Sequence, residues 1–264
     1  MTDHPWVARA RRLGDRLTVF AHRGGAALAP ENTAAAFAQA VALGVDGCEL
    51  DVRLSRDGEV VVIHDATLER TTDASGPVNA LTAAELARVD AGFRFGPEAG
   101  HPWRGRGEGV PRLADVLRAH SHLPFIVELK GDDPAVGLAA TAVVRDCRAL
   151  DRVCFGGFSD ATVAAARRAA PSATTSGATE EIRAALYRSY FWMSPGAVPY
   201  QAFQVPETSN GTRIVSRRFA RCARRAGLTL HVWTVNTPED VARLKAWGVD
   251  GVITDRPDMA LAHR

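Results

Sequence analysis

The chain has 264 residues, 46% of them hydrophobic, which is room for one large globular domain of the size at which single α/β barrels are common. Lys and Arg number 32 against 30 Asp and Glu, so a net charge of +2 excludes the basic surplus expected of a nucleic-acid binder. Cys48, Cys147, Cys154 and Cys222 have no C-x-x-C spacing and lie in or beside apolar runs, which suits reduced core thiols, and residues 1–16 contain arginines but no apolar stretch of the kind that makes a signal peptide or membrane span.

The expectation is therefore a cytoplasmic enzyme with an N-terminal extension over 1–16 and a domain over 17–258. Residues 18–22 form a first strand ending in His22-Arg23-Gly24-Gly25, and Asn32-Thr33 caps a helix over 34–43 that Gly44 closes. Residues 47–54 form a second strand. Glu49 and Asp51, two apart, share one face of it, and Leu50, Val52 and Leu54 share the other. Asp57-Gly58 signals a two-residue hairpin loop, so that paired residue numbers sum to 115: Arg56 faces Glu59, Val52 faces Ile63 and Asp51 faces His64. Residues 66–111 are rich in Gly, Pro and aromatics around one capped helix at Thr82 and Glu85. They are too long for an ordinary connection and read as an insertion, or a lid over something.

From there the pattern alternates. Helices are expected over 113–120, 134–150, 160–170, 180–191, 217–226, 238–247 and 257–262, and strands over 124–129, 153–158, 174–178, 202–205, 229–235 and 249–253. Counting the hairpin as an extension of the second strand, eight strands alternate with helices, which implies a parallel sheet and a closed (β/α)8 TIM barrel with a small insertion after strand two. An open doubly wound sheet is the alternative.

Barrel chemistry gathers at the carboxyl ends of the strands. There the sequence places His22 and Arg23, Glu49 and Asp51 with His64 on the hairpin, Glu128 and Lys130 two apart, Trp233 to Asn236, and Thr254-Asp255. Taken singly these are ordinary surface residues. Together, two carboxylates opposite a buried apolar face ask for a cation, and three carboxylates without Cys or His of ligand spacing favour a hard one, Mg²⁺ or Ca²⁺ over Zn²⁺. Arg23 and Lys130 beside that cation suit a phosphate, and because the unperturbed pKa of a histidine lies near neutrality, His22 and His64 suit an acid and base pair. Glu31 either orients His22 or favours the start of the first helix.

Several motifs in this order resemble the glycerophosphodiester phosphodiesterase family: His22-Arg23-Gly24, Pro30-Glu31-Asn32-Thr33, Glu49-x-Asp51, His64-Asp65 with Thr67-Leu68-x-Arg70-Thr71-Thr72, Glu128-x-Lys130, Trp233-Thr234-Val235-Asn236 and the run 248–255. The resemblance implies a TIM barrel that hydrolyses a small-molecule glycerophosphodiester to glycerol 3-phosphate and an alcohol. It implies that Glu49, Asp51 and Glu128 hold one divalent metal, that His22 and His64 are general acid and base, that Arg23 and Lys130 hold phosphate, and that Trp233 is part of the glycerol wall. Where the family often shows Ser-Phe, this chain runs Gly156-Gly157-Phe158-Ser159, and Phe158 is placed with Trp233 in the substrate pocket.

Three other readings compete: a lysophospholipase D with Phe93, Phe95 and Trp103 of the insertion against an acyl chain, a non-catalytic headgroup-binding barrel, and metal-assisted carbon–carbon cleavage. Binding alone needs no pair of histidines, which weighs against the second. Arg217, Arg218, Arg221, Arg224 and Arg225 read as a solvated helix face, His231 as a satisfied core histidine, and 172–199 as scaffold. The leaving alcohol, the choice of metal and the oligomeric state stay open, as does the route, either through a cyclic glycerophosphate made by the glycerol 2-hydroxyl or by direct attack of water.

Overall fold

A computed structural model describes residues 4–12, 14 and 16–264, so residues 1–3, 13 and 15 of the N-terminal extension lie outside it. Eight short strands pair in parallel around a nearly closed barrel. In chain order they are β1 (Thr18–Ala21), β2 (Gly47–Leu54), β4 (Phe125–Leu129), β5 (Val153–Gly156), β6 (Thr174–Thr175), β7 (Ala202–Pro206), β10 (Thr229–Trp233) and β11 (Gly251–Thr254). The remaining strands are β3 (Val60–Val62), antiparallel to β2, and the small hairpin of β8 (Thr208–Ser209) with β9 (Thr212–Arg213). Between β6 and β7 the seam is thin: Ser176 bridges Ala202, and Gly177 N donates to Ala202 O at 2.9 Å.

The helices are α1 (Pro5–Arg12), α2 (Ala34–Leu43), α3 (Ala83–Leu86), α4 (Leu113–Ala119), α5 (Pro134–Asp146), α6 (Asp160–Ala169), α7 (Thr179–Tyr190), α8 (Arg217–Arg225), α9 (Pro238–Trp247) and α10 (Pro257–His263). Apolar residues on the outward faces of the strands, such as Leu50, Val52, Val127 and Phe155 on one side and Val19, Phe203, Leu230 and Val252 on the other, pack beneath these helices. Inside the barrel, Phe20, Ile126, Cys154, Ala202 and Ile253 form one apolar layer with Trp6 of α1. Trp6 Nε1 donates to Thr229 Oγ1 at 3.3 Å at the amino end of β10, so α1 closes the bottom of the barrel and leaves the top for chemistry. Among the described residues no helix is long and apolar enough to cross a membrane.

Four expectations need correction. The hairpin pairs Val52 with Val62 and Leu54 with Val60, one residue from the expected register, so numbers sum to 114 and Ile63 N donates to Asp51 O at 2.9 Å. A two-residue turn of the expected type needs positive φ at both loop residues, yet only Gly58 has it, at 77°. Asp57 is held otherwise, accepting from Ser55 Oγ at 2.5 Å and from Ala83 N at 2.9 Å, and the loop becomes Arg56-Asp57-Gly58 closed by Ser55 and Glu59.

The other three concern extent and place. Helix α5 ends at Asp146, short of 150, because the chain turns back through Arg148 at φ 52° and Ala149 N donates to Val144 O. Strand β6 stops at Thr175, since Ser176 N still bonds β5 at Phe155 O while the next amide, of Gly177, has turned to β7. Segment 66–111 is no lid. Leu68, Val78, Ala83, Leu86 and Val110 bury themselves against Val61 and Ile63 of the hairpin region, beside the barrel.

His231 is a core residue, as expected, but not a satisfied one. It is 2% exposed, edge-on to Phe20 at 5.2 Å between centroids and to Trp6 at 6.1 Å, and among the described residues its Nδ1 has no hydrogen-bond partner. Burial penalises the imidazolium and pushes its pKa down to about 4. The unfolded chain therefore takes up this proton first, and the contribution of neutral His231, complete above pH 6.5, is lost as pH falls from 6.5 towards 4. We expect His231→Leu to lose about 2 kcal/mol less stability than wild type between pH 7.5 and pH 5, measured by urea unfolding. Equal losses in the two proteins would show that His231 does not titrate in this way.

Candidate active site

At the end of β1 the backbone turns sharply through His22–Gly24, with Arg23 in the left-handed region at φ 51°. Gly24 follows at φ 84°, where a Cβ would stand 2.7 Å from that of Ala36, so only glycine lets this turn press against α2. The turn aims His22 and Arg23 over the barrel mouth. From β2, Glu49 and Asp51 point the same way, and the parallel register sets Asp51 directly beside Glu128 of β4.

Glu49, Asp51 and Glu128 each bring a carboxylate oxygen into one group whose members all lie within 4.8 Å of one another. Glu49 and Asp51 are buried and Glu128 is half-buried. Lys130 Nζ lies 2.6 Å from Glu128 Oε1 and 3.0 Å from Asp51 Oδ1, and Arg23 Nε lies 3.1 Å from Asp51 Oδ2. Asn32, at φ 60°, grips Asp51 twice, its Nδ2 donating to Oδ2 at 2.9 Å and its Oδ1 accepting from the Asp51 amide at 3.3 Å. Burial opposes ionisation of Asp51, but Lys130 and Arg23 outweigh it and hold its pKa below the usual carboxylate value. Glu49 accepts from the Arg23 amide at 3.0 Å and stands 3.9 Å from His22 Nε2. Burial first, and the Asp51 charge second, push it up to about 8.

The residues fit a hard cation by an observation independent of their identity. Among the described residues Glu49 Oε1 is buried without a hydrogen-bond donor, in a group of oxygens close enough to share one ion. Such an orphaned anionic oxygen is costly unless a positive charge meets it.

Each histidine is held by its own carboxylate. His22 Nδ1 donates to Asp255 Oδ1 at 2.6 Å, and Asn236 Nδ2 steadies the other Asp255 oxygen at 2.8 Å. His64 Nδ1 donates to Asp65 Oδ1 at 2.6 Å, and the other Asp65 oxygen accepts from Arg70 Nε. A carboxylate only accepts, so the neutral ring keeps its proton on Nδ1 and offers the Nε2 lone pair to the cavity. Burial works against the charged form of His22, yet the Asp255 bond and the Glu49 charge prevail and raise its pKa above 6.5. Strand β3 ends at Val62, Ile63 N still bonds Asp51 O, and His64 follows at the cavity wall with its carbonyl accepting from Arg53 Nε at 2.8 Å.

A cavity of about 690 Å³ contains His22, Arg23, Glu49, His64, Glu128 and Lys130 on one side. Phe158 and Trp233 meet edge-on in its wall at 5.9 Å. Every residue read from the sequence as metal-binding, phosphate-binding or catalytic thus lies in or at this one site.

The Glycerophosphoryl diester phosphodiesterase family model matches residues 22–259. The chain belongs to this family. It is 32% identical to a glycerophosphodiester phosphodiesterase of Caldanaerobacter subterraneus over 91% of this chain and 94% of that one, and 30% identical to one from Bacillus subtilis over 93% and 85%. The crystal structure of glycerophosphodiester phosphodiesterase from Agrobacterium tumefaciens superposes with a TM-score of 0.75 at 29% identity, covering 94% of this chain and all of that one.

The family motifs now have physical content. Pro30-Glu31-Asn32-Thr33 is a turn whose Asn32 holds Asp51 and whose Thr33 caps α2, accepting from Ala36 N at 3.2 Å. Glu31, expected to orient His22 or to favour the start of the first helix, is engaged by arginines and not by His22. It accepts from Arg23 at 2.8 Å and from two Arg70 nitrogens at 2.7 Å, because the turn points it at two guanidinium groups. Sequence reasoning missed Asn32, Asp65 and Asp255 as working parts. Asp65 had a signal in its adjacency to His64, and Asp255 in being a lone carboxylate at a strand end. The expectation that 172–199 is bare scaffold was also wrong, since Ile182, Leu186, Tyr187 and Tyr190 of α7 line the far side of the cavity.

Removing Asn32 strips a buried carboxylate of its neutral donor and places a residue with Cβ in a left-handed turn without asparagine's local compensation. We expect Asn32→Ala to cost about 2–4 kcal/mol in chemical denaturation, and Asn32→Gly, which relieves the turn but not the lost bonds, to cost less. A cost below about 0.5 kcal/mol for Asn32→Ala would contradict the role given to this side chain.

Proposed function

We propose that this chain hydrolyses glycerophosphodiesters to sn-glycerol 3-phosphate and an alcohol, using His22 and His64 as general acid and base beside one divalent cation held by Glu49, Asp51 and Glu128. The observation that carries the reading is the pair of carboxylate-anchored histidines on the cavity that also holds the three clustered carboxylates. Binding alone requires neither histidine to have a fixed tautomer, so this geometry favours turnover over a headgroup-binding barrel.

When bound, Mg²⁺ or Ca²⁺ would supply positive charge to the phosphate oxygens. The chain's own groups do the rest. Arg23 and Lys130 complete the cationic surround in which charge grows as phosphorus is attacked, and Phe158 with Trp233 walls the glycerol. One histidine accepts the proton of the attacking hydroxyl at Nε2 while the other delivers a proton to the departing alkoxide. Asp255 and Asp65 stabilise whichever imidazolium forms. The glycerol 2-hydroxyl is one carbon from the phosphorylated oxygen, and its attack in a five-membered ring has the proximity advantage that free water lacks.

Three outcomes test this reading. Calorimetric titration with Mg²⁺ and Ca²⁺ should show affinity falling in Glu49→Gln, Asp51→Asn and Glu128→Gln and vanishing in the triple variant. Undiminished binding in the triple variant would displace the metal assignment. His22→Ala and His64→Ala should each lose turnover on glycerophosphocholine by about a hundredfold or more while keeping the metal. A 2-deoxyglycerol analogue should bind and scarcely react, and its normal hydrolysis would leave attack by water as the route.

A further inference from the structure

The outer surface where α7 ends is unlike the rest of the molecule. Eight large apolar or aromatic side chains are exposed among the described residues, and five of them fall within seven positions: Tyr187, Tyr190, Phe191, Trp192 and Met193, with Phe191 exposed by 76% and Tyr187 by 61%. Single exposed apolar residues need no explanation, but a cluster of this size marks a surface that something covers.

The same stretch of chain is strongly basic. Residues 182–225 contain eight arginines and one acidic residue, Glu207, in a chain whose net charge is only +2. Glu207 is held by Arg243 at 2.8 Å, and at the start of α7 Glu180 and Glu181 are held by Arg183 at 2.8 Å and Arg167 at 2.7 Å. Among the described residues, Arg217, Arg218, Arg221 and Arg225 of α8 pair with no carboxylate, and the buried Nε of Arg218 has no hydrogen-bond partner. Helix α8 buries Phe219, Ala220, Cys222 and Ala223, which leaves Arg217, Arg221 and Arg225 on its exposed side.

Two contacts join the apolar cluster and the basic face into one surface. The Arg218 guanidinium lies 4.6 Å over the Tyr190 ring, and that of Arg221 lies 5.5 Å over Trp192. Arg188 Nε donates to Ser194 O at 2.9 Å, which ties the segment after α7 back to the helix.

Whatever covers this surface must offer hydrocarbon to Phe191, Trp192 and Met193 and anionic oxygens to the arginines beside them. A second copy of the chain, docked through a two-fold contact, would set the same uncompensated arginines against each other. Stacked nucleic-acid bases need free ring faces, and Tyr190 and Trp192 already carry guanidinium groups. A bilayer with anionic headgroups supplies both partners at once, a layer of phosphates above hydrocarbon.

We propose that the end of α7 and the exposed side of α8 form a docking surface for a bilayer rich in anionic phospholipid. Phe191, Trp192 and Met193 enter the boundary between headgroups and acyl chains, while Arg217, Arg221 and Arg225 meet headgroup phosphates. Tyr187 and Tyr190 belong both to this surface and to the lining of the cavity, so docking holds the cavity beside the membrane. This binding requires no turnover and stands or falls apart from the hydrolytic reaction.

The test is co-sedimentation of the full chain with vesicles of phosphatidylcholine alone and of phosphatidylcholine with about 30% phosphatidylglycerol, at about 0.1 M salt. We expect partitioning onto the anionic vesicles to be at least tenfold stronger. An arginine at an anionic surface contributes about fivefold, so Arg217→Gln combined with Arg221→Gln should weaken that binding about twentyfold. Phe191→Ser combined with Trp192→Ser should weaken it about tenfold, and Arg118→Gln on α4 should leave it unchanged. All five side chains are exposed, so the fold is spared. Lipid brominated in its acyl chains should quench tryptophan fluorescence in wild type, and Trp192→Phe should remove that quenching. Absence of binding to the anionic vesicles, or binding that either double variant leaves unchanged, overturns the inference. So does a wild type that ignores vesicles but sediments as a dimer which Phe191→Ser with Trp192→Ser converts to a monomer, because the surface then joins two copies.

Discussion

Two carboxylates buried side by side set the terms for everything around them. Glu49 and Asp51 are 3% and 1% exposed, with Glu128 close by, and in that setting ionisation is opposed by lost hydration and by like charge. The surroundings answer with Lys130, Arg23, Asn32 and the Arg23 amide, yet among the described residues Glu49 Oε1 stays without a donor. A protein stable enough to carry this arrangement needs a rigid frame beneath it. The parallel ladder supplies one, because the register that sets Asp51 beside Glu128 is fixed by the burial of Leu50, Val52, Val127 and Leu129 on the opposite faces.

The barrel separates what must be dry from what must react. Its lower interior is filled by Trp6, Phe20, Ile126, Cys154, Ile253 and the neutral His231, a layer that admits no charge. Its upper rim carries the ionisable groups at the ends of β1, β2, β4 and β11, where loops can bring donors to them. Two histidines with similar intrinsic chemistry are placed differently by this rim. His22 is the more enclosed, against Glu49 and Asp255, whereas His64 stands on the hairpin's exit with Asp65 and Arg70.

How far the sequence could be read depended on the range of the interaction. The strand identity of 47–54 and the shared face of Glu49 and Asp51 follow from a period of two, which is local. So does the cap at Thr33. The hairpin register was misread because Asp57 is recruited by the Ala83 amide, 26 positions away, which makes a three-residue loop of what would otherwise be a two-residue one. Glu31 was given the wrong partner because Arg70, which holds it, comes from the segment beyond the hairpin. Helix α7 was passed over because its stripe of Ile182, Leu186, Tyr187 and Tyr190 is what any amphipathic helix shows, and nothing in a periodicity says whether the apolar side faces a core or a cavity.

By itself, then, the sequence determined that strands and helices alternate eight times, which carboxylates share a strand face, and which histidines stand at strand ends, because each of these is written in spacing over a few residues. Only the tertiary structure decided that Asp255 anchors His22 across 233 positions, that Asn32 bonds Asp51, and that the insertion packs beside the barrel while α7 walls its mouth. Those outcomes depend on where barrel closure brings distant strand ends together, and that closure is settled by the summed burial of all eight strands, not by any one stretch of chain.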